Sequence, residues 1–134
     1  MQATVKVIVV NAEGKLLALR RSATDPARPL TWDLPGGVLE HGEILEEAIR
    51  RETLEEAGIE IDEIAIHDAS AVLNAQGQYW LQICYVAKVG VPEVVLSYEH
   101  DQYEWLSKDE FLKRESTPRI KRFLDKIESE ARVE

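Results

Sequence analysis

The chain has 134 residues, of which 16 are basic and 25 acidic, for a formal charge of −9. That length suits one domain with its own core, so residues 1–134 read as a single domain. An acidic chain gains nothing from counterion release, which argues against a nucleic-acid polymer as partner; a small phosphate ligand stays compatible if metal ions bridge the like charges.

"MQATVKVIVV" alternates after one lysine, and residues 4–10 predict a strand. It lacks the long apolar run of a signal peptide or a membrane span, so a cytoplasmic protein with no membrane partner is the expectation. "NAEGK" supplies turn residues and "LLALRR" a returning strand. Arg20 and Arg21 are adjacent on it and face opposite ways, so at most one points at any given site. "SATDPARPLTWDLPGG" follows, a long loop with three prolines and two glycines, and loops of that length are often functional. Arg20 and Arg21 before it and Arg28 within it are candidates for phosphate contacts.

Residues 43–57 predict a helix ended by Gly58 as a C-terminal cap. At about 100° per residue, Ile44, Leu45, Ala48 and Ile49 share a face with Glu52, Glu55 and Glu56. The inward face therefore finishes in three carboxylates, at the helix end where the dipole disfavours them. Converging carboxylates either take up a proton or hold a cation. Three oxygen donors suit a hard ion such as Mg²⁺, or Mn²⁺ in its place. The competing reading is an ordinary solvated face, since Glu46–Arg50 and Glu47–Arg51 are common i,i+4 pairs.

"IEIDEIAIHDASAVLNA" predicts one or two strands, and "QYWLQICYVAKV" is the clearest strand in the chain. Tyr79, Leu81, Ile83 and Tyr85 lie on one face of it; Trp80, Gln82, Cys84 and Val86 lie on the other. Cys84, the single cysteine, reads as a buried strand residue, and it leaves no disulfide or cysteine metal cluster to form. Tyr79 and Trp80 are candidates to stack on a base, against packing as the plainer reading. "QYEWLS" predicts a last short strand, and residues 117–131 a helix with Pro118 in its first turn. His41, His67 and His100 are too scattered for a histidine metal site. The order of strands, helix, strands, helix predicts a mixed α/β or α+β domain.

Gly37, Glu43 and "RETLEEAGI" at their spacing closely resemble the Nudix box of the MutT-like hydrolases. Gly37, Glu43, Arg51, Glu52, Glu55, Glu56, Gly58 and Ile59 all match its pattern; Thr53 departs, standing where an apolar residue is usual. With "WDLPGG" before the box and "YEHDQYEWLSKDEF" after it, the resemblance covers nearly the whole chain. It implies a mixed β-sheet sandwiched between α-helices and a divalent ion, usually Mg²⁺. It also implies a substrate in which a nucleoside diphosphate is linked to another group. Carried over, Glu52, Glu55 and Glu56 are metal ligands, while Arg51, with Glu43, Gly37 and Gly58, shapes the box. The resemblance places the catalytic base either in the box, at Glu52, or in a later loop. Glu99 is the preferred loop candidate, able also to ligate metal, and Glu104 is its competitor.

The substrate hints conflict. The "LPGG" entry looks like MutT-type enzymes acting on nucleoside triphosphates, which would release NMP and pyrophosphate. "LSYEHDQYEWL" looks like the asymmetrical diadenosine tetraphosphate hydrolases. A nucleotide-sugar hydrolase and a non-catalytic nucleotide-binding module are further alternatives, the last disfavoured because all the box acids are present. A monomer or a homodimer fits equally.

Overall fold

A computed structural model describes residues 1–127. The elements run β1 (Gln2–Val10), β2 (Leu16–Arg21), β3 (Trp32–Asp33), β4 (Gly36–Val38), α1 (Leu45–Ala57) and β5 (Ile64–Leu73). Then come β6 (Tyr79–Lys88), β7 (His100–Leu106), α2 (Lys108–Leu112) and α3 (Pro118–Asp125). One mixed sheet holds the strands in the order β3-β2-β1-β6-β5, with β4 also on β1 and β7 also on β2. β1 and β6 run parallel from Gln2↔Trp80 to Val10↔Lys88; the other pairs are antiparallel.

Side chains alternate across a strand, and here both sheet faces are covered. Val5, Val7 and Val9 of β1 pack with Leu17, Leu19, Ile83 and Tyr85 under Ala48 and Ile49 of α1. Ile8 and Val10 face the other way and pack with Cys84 and Leu106 under Phe111 of α2 and Ile120, Phe123 and Leu124 of α3. The expected sheet between helices is therefore what forms. The faces predicted for the β6 strand hold, with Ile83 and Tyr85 in the first core and Cys84 in the second.

Three sequence expectations are refined. The long loop contains the two short strands β3 and β4, because its backbone pairs with β2 and β1. α1 begins at Leu45, so Glu43 lies before the helix and reaches back to it through a side chain. α2 was not expected from the apolar pattern; it is five residues long and is fixed by a capping box, with Ser107 Oγ accepting from Glu110 N and Glu110 Oε1 from Ser107 N. The predicted last helix holds over Pro118–Asp125, and its continuation to residue 131 lies outside the described residues.

Thr53, the departure from the family pattern, is fully buried and its hydroxyl donates to Ile49 O at 2.6 Å. That carbonyl belongs to the helix ladder, so the bond is a small addition. Thr53→Val should change the urea unfolding free energy by no more than about 1 kcal/mol. A loss above about 2 kcal/mol would mean that the hydroxyl itself fixes the helix.

Candidate active site

α1 presents its last turn to β4, and the two elements are built to touch. Gly36 has φ of 145°, a conformation rare for other residues. Its N–H donates to Glu56 Oε1 at 3.1 Å. A Cβ at Gly37 would overlap the carboxylate of Glu52. The two glycines therefore let both glutamates reach past the sheet into a cleft of about 580 Å³, a size ordinary for small-ligand sites.

The cleft has three walls. Glu52 and Glu56 form one, and Glu99, ahead of β7, joins them. Trp80 and Gln82 of β6 form the second. Lys6, Arg21 and Arg119 face inward on the third, with Asp33 and His100 between them. Lys6 is buried in β1, where its ammonium donates to Asp33 Oδ2 at 3.1 Å and to Leu34 O at 3.2 Å. Arg21 bridges Asp33 at 3.0 Å and Asp25 at 2.9 Å. Burial alone would push Asp33 up, but Lys6 and Arg21 outweigh it and hold its carboxyl below the usual range.

Glu56 differs. Burial pushes its carboxyl up to about 8, with Glu52 and Glu99 adding repulsion against the pull of Lys6 and the Gly36 N–H. Burial also raises Glu52, although Arg51 opposes it. Burial is the main cause in both, and neighbouring carboxylates add to it, Glu55 at Glu52 and Glu99 at Glu56, so a bound cation would relieve both. Glu52 and Glu56 offer a pair of oxygen donors from one helix. That fits a hard divalent ion, which binds through one or two carboxylates and keeps its remaining positions for water and phosphate.

Glu55 is placed elsewhere. Its Oε1 accepts from Arg51 Nη1 at 2.9 Å, and its side chain is half exposed. Among the described residues no three His, Cys, Asp or Glu side chains converge on one point. Two of the three box carboxylates therefore meet in the cleft, and the third is held aside by an arginine. That arginine organises the box. Arg51 Nε and Nη2 grip Glu43 at 2.7 and 3.0 Å, and its Nη1 reaches Glu52 Oε1 at 2.8 Å. These bonds raise the guanidinium further above its ordinary value and lower Glu43. Gly58 closes α1 with φ of 69°, its N–H bonded to Leu54 O at 2.9 Å.

The other candidates separate. Arg20 points away from the cleft, bidentate on Asp101 at 2.9 and 3.0 Å, and its neighbour Arg21 faces in instead. A register irregularity between Arg20 and Arg21 sets His100 opposite Arg21, which carries Glu99 and His100 toward the cleft. Glu104 is held by Arg114 at 2.9 and 3.0 Å, outside it. Trp80 lies on the cleft wall, whereas Tyr79 is 56% exposed on the opposite strand face. Arg28 is exposed and is not part of the wall.

Sequence reasoning missed Lys6, Asp33 and Arg119, and it gave His100 no place in a site. Lys6 carried a signal, a lone charge between Val5 and Val7 in a strand buried on both faces. His100 is only 8% exposed; burial pushes its imidazole down to about 4, so the ring is neutral near pH 7. No helix among the described residues is long and apolar enough to cross a membrane.

The family model for the NUDIX domain matches residues 1–127. A "MutT-like protein" of Streptomyces ambofaciens is 31% identical over 121 residues, covering 90% of this chain and 73% of that protein. The asymmetrical bis(5'-nucleosyl)-tetraphosphatase of Caenorhabditis elegans is 33% identical over 116 residues, covering 80% of this chain and 79% of that one. The crystal structure of a MutT protein from Methanosarcina mazei Go1 superposes with a TM-score of 0.79 at 32% identity, over 92% of this chain and 90% of that one.

Proposed function

The chain belongs to the NUDIX family of hydrolases acting on phosphoric anhydride bonds, and from that premise we propose that it is a Mg²⁺-dependent pyrophosphohydrolase converting nucleoside triphosphates to NMP and pyrophosphate. The observation that carries the reading is the cleft itself, with Glu52, Glu56 and Glu99 on one side and Lys6, Arg21 and Arg119 on another. A polyphosphate needs both: cationic groups for its oxygens, and carboxylates for a cation and a proton.

In this proposal Glu52 and Glu56 hold the ion, and Glu55 joins them only on leaving Arg51. The ion, when bound, neutralises phosphate oxygens and favours an in-line attack. Arg51 keeps Glu52 aimed at the cleft through its bond to Oε1. Glu99 takes the proton of the attacking water as the new P–O bond forms. The bond to the bridging oxygen breaks, and pyrophosphate departs with that electron pair. Trp80 offers a flat apolar surface to the base.

A second reading has one observation in its favour, the likeness to the Caenorhabditis elegans tetraphosphatase. On that reading the substrate is a dinucleoside polyphosphate.

Product identification over a panel of nucleoside triphosphates, dinucleoside polyphosphates and nucleotide sugars with Mg²⁺ or Mn²⁺ tests both. NMP and pyrophosphate from triphosphates, abolished by excess chelator, is the expected result. Exclusive cleavage of dinucleoside polyphosphates would replace the first reading with the second. Undiminished turnover in chelator would remove the metal from both.

A further inference from the structure

Arg119 is the one cleft residue contributed by α3, and its position is fixed by the helix that carries it. Thr117 caps α3 by accepting from Ile120 N at 3.2 Å, and Ile120, Phe123 and Leu124 are fully buried beneath the sheet. Arg119, next to Ile120, is thereby turned to the cleft. Its Nε is shut from solvent and has no acceptor. The other two cations of that wall are engaged: Lys6 holds Asp33, and Arg21 holds Asp33 and Asp25. Burial holds the Arg119 guanidinium below its ordinary value; Asp33 opposes this, while Arg28, Arg21 and Arg122 add repulsion. Beside it in the cleft is His100, more than nine-tenths buried, whose Nδ1 also lacks a partner.

Buried polar groups left without partners are rare in folded proteins, and two in one cleft mark a place where a ligand completes the bonding. A guanidinium is a donor only, so the completing group is an oxygen acceptor. We propose that Arg119 and His100 form a substrate subsite at the α3 end of the cleft, which receives an acceptor oxygen of the nucleotide. The subsite rests on the nucleotide reading above and deepens it into a specificity determinant. Two parts of a nucleotide carry such oxygens, a phosphate beyond the cleaved bond and the carbonyl of a keto base. Both satisfy the same donor.

Calorimetric titration of the wild type and Arg119→Met with GTP, ATP and GDP, in chelator so that no turnover intervenes, tests the subsite. Loss of a bond from a charged donor should weaken binding about tenfold or more. A penalty on GTP and ATP alike, smaller on GDP, identifies a distal phosphate. A penalty on GTP and GDP that spares ATP identifies the base carbonyl. Equal affinities of the two proteins for all three nucleotides, within about twofold, overturn the proposal, as does absence of binding to either protein. The melting temperature of Arg119→Met should equal or exceed that of the wild type, since a desolvated cation without a partner adds no stability. A fall of several degrees would make Arg119 a structural residue and overturn the subsite. Arg119→Lys, which keeps the charge, should fold as the wild type does and bind with intermediate affinity. The product panel separates the two levels: wild-type turnover with an unaltered Arg119→Met binding profile sinks the subsite alone, whereas no turnover of any nucleotide sinks the hydrolase reading.

Discussion

Glu56→Gln should lower turnover by at least about a hundredfold, and should leave the metal-free protein at least as stable as the wild type at pH 8. Both effects come from one position. Glu56 is 7% exposed, bonded to the Gly36 N–H, and set beside Glu52 and Glu99. Its carboxyl is pushed from 4.5 up to about 8. Between those values the folded protein holds a proton that the unfolded chain has released, so stability must fall as pH rises from about 5 to 8. Above the folded value the loss is complete. Glutamine is neutral throughout and removes that part of the slope, leaving what Glu52 contributes. The amide keeps the acceptor for Gly36 N–H, so the fold is retained while the charge that would hold a divalent ion is gone. Melting temperatures of both proteins in chelator at pH 5, 6.5 and 8, beside steady-state rates with Mg²⁺, give the two measurements. Parallel pH dependence in the two proteins would assign the slope to another group. Wild-type turnover by the variant would remove Glu56 from the metal site.

The parts of this molecule that could be read in the sequence are those fixed by periodicity or by covalent spacing. Alternation in residues 79–88 set both faces of β6, because a strand buried on both sides has no freedom to slip. The box spacing located Arg51 and Glu52 together because a helix fixes their relative directions, and Glu43, just ahead of it, joins them through the Arg51 guanidinium. What could not be read depended on pairing between distant segments. Whether Arg20 or Arg21 faces the cleft is decided by the pairing of β2 with β7 and the register irregularity between them. Glu55 follows helical spacing toward the same face as Glu52, yet its side chain is long enough to swing onto Arg51. Helical geometry sets where a Cβ points, and electrostatics chooses among the rotamers beyond it. Lys6 and Asp33 sit 27 positions apart, and their buried pair exists only once β1 and β3 share a sheet. Arg119 reaches the cleft only through the packing of α3.

Glu99→Gln should cripple turnover by roughly a hundred- to ten-thousand-fold while changing substrate affinity far less, and Glu104→Gln should leave turnover near wild type. The two glutamates lie five positions apart around one strand, and their surroundings divide the roles. Glu104 is committed: Arg114 grips both of its oxygens and lowers its carboxyl, and Gln102 Nε2 donates to it at 3.2 Å. A carboxylate so bonded is a poor proton acceptor, and it faces away from the cleft. Glu99 is exposed on the cleft wall, close enough to Glu56 to raise that carboxyl. Its backbone is anchored, with its carbonyl accepting from Ser22 N at 3.0 Å, so the side chain starts from a fixed point. It comes from the segment ahead of β7 and not from α1, so it could deprotonate a water without giving up the ligands that the helix offers the ion. Rates at saturating substrate and Mg²⁺, with affinities measured separately, distinguish the cases. A crippled Glu104→Gln would move the base to β7 and require Arg114 to let go. If neither variant loses more than about threefold, the base lies within the box, and Glu52, already raised by burial, becomes the residue to substitute next.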